Sequence, residues 1–270
     1  MGRYLLGGKE AKLPYEVEEL DLRLYTAEEL CYYIYNNLAL IDDDFIDERL
    51  LRFLSDELGM PEETEKISRF YKSPSDQDTT LLMLLTDIGY YQDAELSEFK
   101  TRLSIRHRKS GPDRVLMKAD ALFENKRYLK AIQYYRVLAN ERKDNRITGE
   151  MRTRIFESIA NAYGMLYDYE DAMFYLGKAF EETKKERLLE KLYFTCLVSG
   201  SELPDKYFKD FPETKLKDWH ENYWLRESEM KNLLQEEPLM KAFFKDKKEM
   251  EEQLTRYVEG EKALYRAMLE

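Results

Sequence analysis

The sequence is poor in glycine and proline. Of its 270 residues, 11 are Gly and 7 are Pro. β-sandwiches and α/β enzymes need a turn roughly every dozen residues, and turns rely on these two residue types. Their scarcity therefore excludes turn-rich folds and favours helices. Charged residues make up 36% of the chain, which would be typical of disorder, but 13% is aromatic, and this indicates a folded protein.

Cysteine and histidine are also scarce. Cys31 and Cys196 lie in apolar helical patterns, which is typical of reduced, buried thiols. His107 and His220 have no Cys, His or acidic partner at metal-ligand spacing. No phosphate-binding loop, nucleophile-elbow or dinucleotide motif is present. We therefore expect no metal, no cofactor and no enzymatic activity, with a hydrolase in the acidic N-terminal region as a minor alternative.

Long apolar runs are absent. No run approaches the roughly 18 to 20 residues of a membrane-spanning helix, and the first ten residues lack the apolar core of a signal peptide. We expect a cytoplasmic protein that makes no membrane contact.

Charge is unevenly distributed along the chain. Residues 1–100 hold 10 basic and 23 acidic side chains, whereas residues 101–200 hold 20 and 14. With a net charge of -11, nucleic acid is disfavoured as the principal ligand, because a phosphate backbone needs a basic face. The strongest basic cluster could dock an acidic partner, or its cations could simply complement the C-terminal end of a helix that starts at Asp93. Its proposed docking residues are Arg102, Arg106, Arg108 and Lys109.

Local signals place the first elements. Residues 21–25, DLRLY, alternate as a short strand does, and Thr26 and Glu29 have the spacing of a capping box. A helix is predicted from Ala27 to Leu40. The acidic run 42–44 is expected to supply the N-cap of the next helix.

A repeat follows in the middle of the chain. In two segments an aromatic residue precedes an alanine by three positions, and another alanine lies twelve positions before that one: Ala119, Tyr128 and Ala131 in residues 113–143, and Ala160, Tyr169 and Ala172 in residues 151–183. The small residues would let two helices approach closely, while the aromatic residues would fill the space between hairpins. A weaker third copy occurs around Gly89 and Ala94.

The pattern resembles the tetratricopeptide repeat (TPR). Its small-aromatic-aromatic-small-small positions are matched in order by Ala160, Tyr163, Tyr169, Ala172 and Ala179. The resemblance implies an all-α protein, a TPR-like α-solenoid of helical hairpins. We expect an N-terminal acidic helical domain in residues 1–77, the array in residues 78–212, and a capping helical hairpin in residues 213–270, with a break at Pro238.

The resemblance also implies a function. Family members usually bind an extended peptide or a helix in the groove lined by the first helix of each hairpin. The matching positions are Leu116, Asp120, Phe123, Glu157, Asn161 and Met165. The basic residues with which some members clamp a C-terminal carboxylate are not matched. Asn161 would bind a ligand backbone or, alternatively, the neighbouring hairpin.

The sequence therefore predicts a non-catalytic scaffold or adaptor for another protein or peptide. The alternative is a regulatory protein that senses a peptide and contacts nucleic acid through its basic middle segment.

Overall fold

The computed structural model describes residues 9–70, 77–141, 144–236, 255–256 and 258. These residues are mostly helical, as expected for an all-α protein. The chain divides into two compact units, residues 1–199 and 200–270. The domain boundaries expected after residues 77 and 212 remain predictions. Within the first unit, the N-terminal segments pack against helices of the middle region.

The first unit begins with a small β-hairpin. Strand β1 (Tyr15–Val17) pairs antiparallel with β2 (Leu22–Leu24). Asp21, in the turn, has a φ of 53°. The short strand indicated by the alternation in residues 21–25 is present.

The first helix, α1, spans Ala27–Asn36. Its capping box is formed as predicted: the Glu29 amide donates to the Thr26 hydroxyl at 3.1 Å, and the Thr26 amide donates to the Glu29 carboxylate at 3.3 Å. The α-helix ends four residues before the predicted Leu40 and is followed by a 3-10 turn at Leu38–Leu40.

The prediction that residues 42–44 cap the next helix is wrong. Asp47 caps α2 (Glu48–Arg52) by accepting from the Leu50 amide at 2.8 Å. A π-helical turn, Phe53–Glu57, continues α2, and α3 spans Pro61–Ser68. Asp42 and Asp43 instead form ion pairs with cations of the middle region.

In the described part of the first unit, seven further helices follow. They are α4 (Gln77–Ile88), α5 (Asp93–His107), α6 (Gly111–Glu124), α7 (Tyr128–Asn140), α8 (Gly149–Met165), α9 (Tyr169–Thr183) and α10 (Glu186–Ser199). From α6 to α10 each helix packs against the next. The small residues of the repeat are all buried: Ala119, Ala131, Ala160 and Ala172.

The two central hairpins turn in the same way, 41 residues apart. Lys126 and Tyr167 have left-handed φ angles of 60° and 61°. The following amides close equivalent loops, from Arg127 to the Leu122 carbonyl at 2.8 Å and from Asp168 to the Tyr163 carbonyl at 3.0 Å. This is the usual six-residue termination of a helix by a left-handed residue.

The third copy is packed differently. Gly89 has a φ of 69° between α4 and α5, as the corresponding turn residues do. However, Ala94 is exposed, whereas its counterparts Ala131 and Ala172 are buried. The close helix contact of the two central hairpins is therefore not repeated here.

The second unit is described for residues 200–236 and a few positions beyond. It contains α11 (Asp205–Phe208) and α12 (Glu213–Glu236). Trp219 is buried and stacks on Phe211 with ring centroids 4.9 Å apart. The predicted helix break at Pro238 and the helix expected after it lie outside the described residues.

Candidate functional site

A cavity of about 490 Å³ opens between α6, α8, α9 and α10. It combines apolar side chains with a few polar ones, which is the usual make-up of a ligand site, and its volume lies in the usual range. The residues that line it are Phe123, Ala160, Asn161, Gly164, Met165, Tyr169, Ala172, Leu176, Lys191, Phe194, Thr195 and Val198. Thus the first helices of both central hairpins and α10 form its walls, and α9 supplies Tyr169, Ala172 and Leu176.

Ion pairs connect the same three helices. Arg154 of α8 donates to Asp120 of α6 at 2.6 Å. Glu157 of α8 accepts from Arg187 at 2.5 and 2.8 Å and from Lys191 at 2.6 Å, both on α10. These contacts form an inter-helix ladder of charges.

The Glu157 carboxylate is the most enclosed member of this ladder, with its side chain 12% exposed. Burial alone would raise its pKa, but the hydrogen bonds from Arg187 and Lys191 outweigh burial and lower the pKa below the ordinary value. The carboxylate therefore stays ionised and fixes the spacing of α8 and α10.

The six residues expected to line a groove have different surroundings in the structure. Phe123, Asn161 and Met165 line the cavity. Asp120 and Glu157 belong to the ladder of ion pairs instead.

The prediction that Leu116 lines the groove has to be corrected, because this residue is 5% exposed and packs in the core. Its side chain stabilises the fold and is not displayed to a ligand.

The side chain of Asn161 is available to a ligand. It is exposed and lines the cavity, and its amide has no hydrogen-bond partner in the part of the chain that the structure describes. A bond to the neighbouring hairpin, the alternative considered from the sequence, is therefore not formed among these residues.

The sequence reasoning missed the contribution of α10. Lys191, Phe194, Thr195 and Val198 all line the cavity. Their three- and four-residue spacing places them on one helix face, and this spacing could have identified them. The signal was weak because the α10 segment contains no alanine and therefore does not match the aromatic-alanine spacing of the repeat.

Two interpretations of the basic cluster were open, an acidic docking site or cations that complement a helix end, and the docking role has to be corrected for Arg106. Its side chain is 11% exposed and lies 3.3 Å from Asp78 and 3.5 Å from Asp43, and it also donates to the Ile41 carbonyl. A guanidinium with three internal partners is a structural group.

The other members of the cluster have different surroundings. Arg102 lies over the Tyr35 ring at 5.1 Å and is partly exposed. Arg108 and Lys109 are exposed, and neither pairs with an acid in the described ranges.

An acidic surface formed by the N-terminal part of the chain covers the basic helices. We call it the N-terminal acidic patch, and it consists of Glu18, Glu19, Asp21, Asp42 and Asp43. Lys118 of α6 lies 2.6 Å from Glu19 and 2.5 Å from Asp42. Lys130 of α7 lies 3.4 Å from Asp21. The acidic partner of these cations is thus the chain itself.

The electrostatics of this contact are mutual. Burial would raise the pKa of Glu19, but the bonds from Lys118 and Tyr134 lower it overall. Burial would lower the pKa of Lys118, and its bonds to Asp42 and Glu19 raise it instead. A second cavity, of about 280 Å³, lies beside Lys118 and Arg106, but these cations are already paired.

Comparisons of the chain with known protein families, curated proteins and solved structures give no match. Among the described residues, no group of three or more His, Cys, Asp or Glu is placed to hold a metal ion. In the same part of the chain, no helix has both the length and the apolar character needed to cross a membrane.

Proposed function

We propose that α6 to α10 form a TPR-like array and that the protein is a non-catalytic scaffold which binds a peptide or helix in the cavity between them. The repeated turn geometry, 41 residues apart, and the buried alanines of both hairpins support the array. The walls of the cavity come from α6, α8 and α10, which are the helices that a TPR-like arrangement would place along a groove.

The proposal depends on the apolar opening of the cavity and on the Asn161 amide beside it, which has no hydrogen-bond partner among the described residues. Met165 is 52% exposed and Val198 is 51% exposed, and both line the cavity. Covering such side chains with a ligand removes apolar surface from water. The Asn161 amide offers one acceptor and two donors, which suits a peptide backbone with alternating N–H and C=O groups.

The test is a selection of peptides from a random library displayed on phage, using the full chain as bait. Val198→Arg places a charged side chain at the opening, and we expect it to abolish enrichment. Val137→Arg is the matched control, because Val137 is 62% exposed on α7 and does not line the cavity. Equal enrichment by wild type and the Val198→Arg variant would contradict a site in the groove.

Asn161→Ala tests the anchor. Loss of one or two hydrogen bonds to a selected peptide should weaken binding by a factor of a few to about a hundred. Because the amide has no hydrogen-bond partner among the described residues, the melting temperature should be unchanged. Fluorescence anisotropy and thermal unfolding measure the two effects. A lower melting temperature with unchanged peptide affinity would assign Asn161 to the fold instead.

A further inference from the structure

The cavity has one charged wall. Among the described residues that line it, Lys191 alone carries a full charge. Its neighbours on the same face of α10, Phe194 and Val198, are apolar. A ligand that fills the cavity with an apolar side chain must therefore pass beside an ammonium group.

Lys191 is the second cation on a single carboxylate. Arg187 already holds both oxygens of Glu157, with one N–H on each, at 2.5 and 2.8 Å. Such a two-pronged contact satisfies a carboxylate by itself. Lys191 shares one of these oxygens at 2.6 Å and has three donors in all, and its side chain is 44% exposed.

The rest of the ladder is balanced. Asp120 pairs with Arg154, and Glu150 pairs with Lys185, one acid to one base. The surplus positive charge is therefore local to Glu157, Arg187 and Lys191, at the α10 wall of the cavity.

On the basis of the proposed peptide-binding function, we propose that the ligand carries an Asp or Glu side chain next to a large apolar side chain. The apolar side chain fills the cavity, and the carboxylate pairs with Lys191. Such a ligand complements the groove in charge as well as in polarity, and charge complementarity selects between partners that bury similar apolar surface. A basic ligand would add a third cation around one carboxylate.

The experiment uses a peptide obtained in the selection and two synthetic versions of it, one with the acid replaced by its amide and one with the acid replaced by lysine. Affinities are measured by fluorescence anisotropy against wild type, Lys191→Gln and Lys191→Glu. For wild type, the amide version should bind about five- to tenfold more weakly, which is the range for a partly exposed charge-assisted bond. For Lys191→Gln, the acid and amide versions should bind equally.

Lys191→Glu should reverse the preference, so that the lysine version binds better than the acidic one. Lys185→Glu is the control, because it makes the same charge change immediately before α10, at a one-to-one ion pair with Glu150, and it should leave the preference for acid intact. Thermal unfolding of each variant shows that the fold is retained, and Lys191→Gln provides a milder change should Lys191→Glu destabilise the helix pair.

The outcomes separate the two proposals. If wild type enriches no peptide, or if the Val198→Arg variant enriches the same ones, the peptide-binding function itself is overturned. If enrichment requires the groove but the peptides carry no acid, or their amide versions bind equally well, only the assignment of an acidic ligand is overturned.

Discussion

Replacing Lys118 with methionine should strongly destabilise the first unit. The ammonium of this residue, with its side chain 7% exposed, bonds Glu19 and Asp42 and lies 4.6 Å from the centroid of the Tyr134 ring. Methionine retains the apolar stem, so that the charge contacts are removed with little change in packing.

The size of the effect depends on how well each carboxylate recovers its hydration. The side chain of Asp42 is 53% exposed and can be solvated again, whereas that of Glu19 is 25% exposed and keeps much of its desolvation cost. The loss of two charge-assisted bonds, with the hydration of Glu19 only partly recovered, should lower the free energy of unfolding by about 2–4 kcal/mol. The control is Lys185→Met, which breaks a more exposed pair with Glu150 and should cost less than about 1 kcal/mol.

The pH dependence gives a second readout. Because the pKa of Glu19 is lowered in the folded state, its ionised form contributes stability above its ordinary pKa, and this contribution is lost as the pH falls. Without Lys118, only the bond from Tyr134 and the charge of Lys130 would oppose the effect of burial, so the pKa of Glu19 would be lowered less. The Lys118→Met variant should therefore lose less stability than wild type as the pH falls from about 5 to below about 4.

Urea unfolding followed by circular dichroism measures both effects. If Lys118→Met were as stable as Lys185→Met, or if its acid sensitivity matched that of wild type, the N-terminal acidic patch would not hold the basic helices as described.

Three further predictions concern the hairpins and the remaining cations. Ala131→Leu should cost about 1–3 kcal/mol by overpacking a buried helix contact, and an unchanged melting temperature would contradict the proposed hairpin register. Lys126→Gly should stabilise the chain by up to about 1 kcal/mol, because glycine adopts the left-handed backbone of this position without strain. The control is Asn125→Gly, which should destabilise the chain because Asn125 has a φ of -79°. A melting temperature lowered by both substitutions would contradict this prediction. Binding to random DNA or RNA at physiological salt should be weak or undetectable, because the net charge of the chain is -11 and Arg106 and Lys118 are paired with acids of the same chain. Salt-sensitive micromolar retention that is lost in an Arg108→Glu, Lys109→Glu variant would favour the nucleic-acid alternative.

The features that could be predicted from the sequence were local or periodic. The Thr26 capping box needs only residues within one helical turn, and the spacing of Ala160 and Ala172 reflects one hairpin. The Asp42 prediction failed because an acidic residue before a helix has two uses, as a cap or as an ion-pair partner. Its actual partner, Lys118, is 76 residues away, and nothing in the local sequence distinguishes the two uses.

The charge distribution along the sequence could not identify the partner of the basic segment. The excess of acid in the first hundred residues and of base in the second predicts attraction between an acidic and a basic surface. A count does not distinguish a partner in another molecule from one in the same chain. In the structure, each of three cations pairs with an acid of the N-terminal acidic patch: Arg106 with Asp43, Lys118 with Asp42 and Lys130 with Asp21. Because these cations are paired with acids of the same chain, Arg108 and Lys109 remain exposed, and two cations are too few to hold a polyanion. Lys191 differs, since it shares the Glu157 carboxylate with Arg187 and keeps hydrogen-bond donors for one further carboxylate. Under the proposed function, the charge that would distinguish one ligand from another is therefore that of Lys191, whereas Arg106 and Lys118 serve as structural groups of the fold.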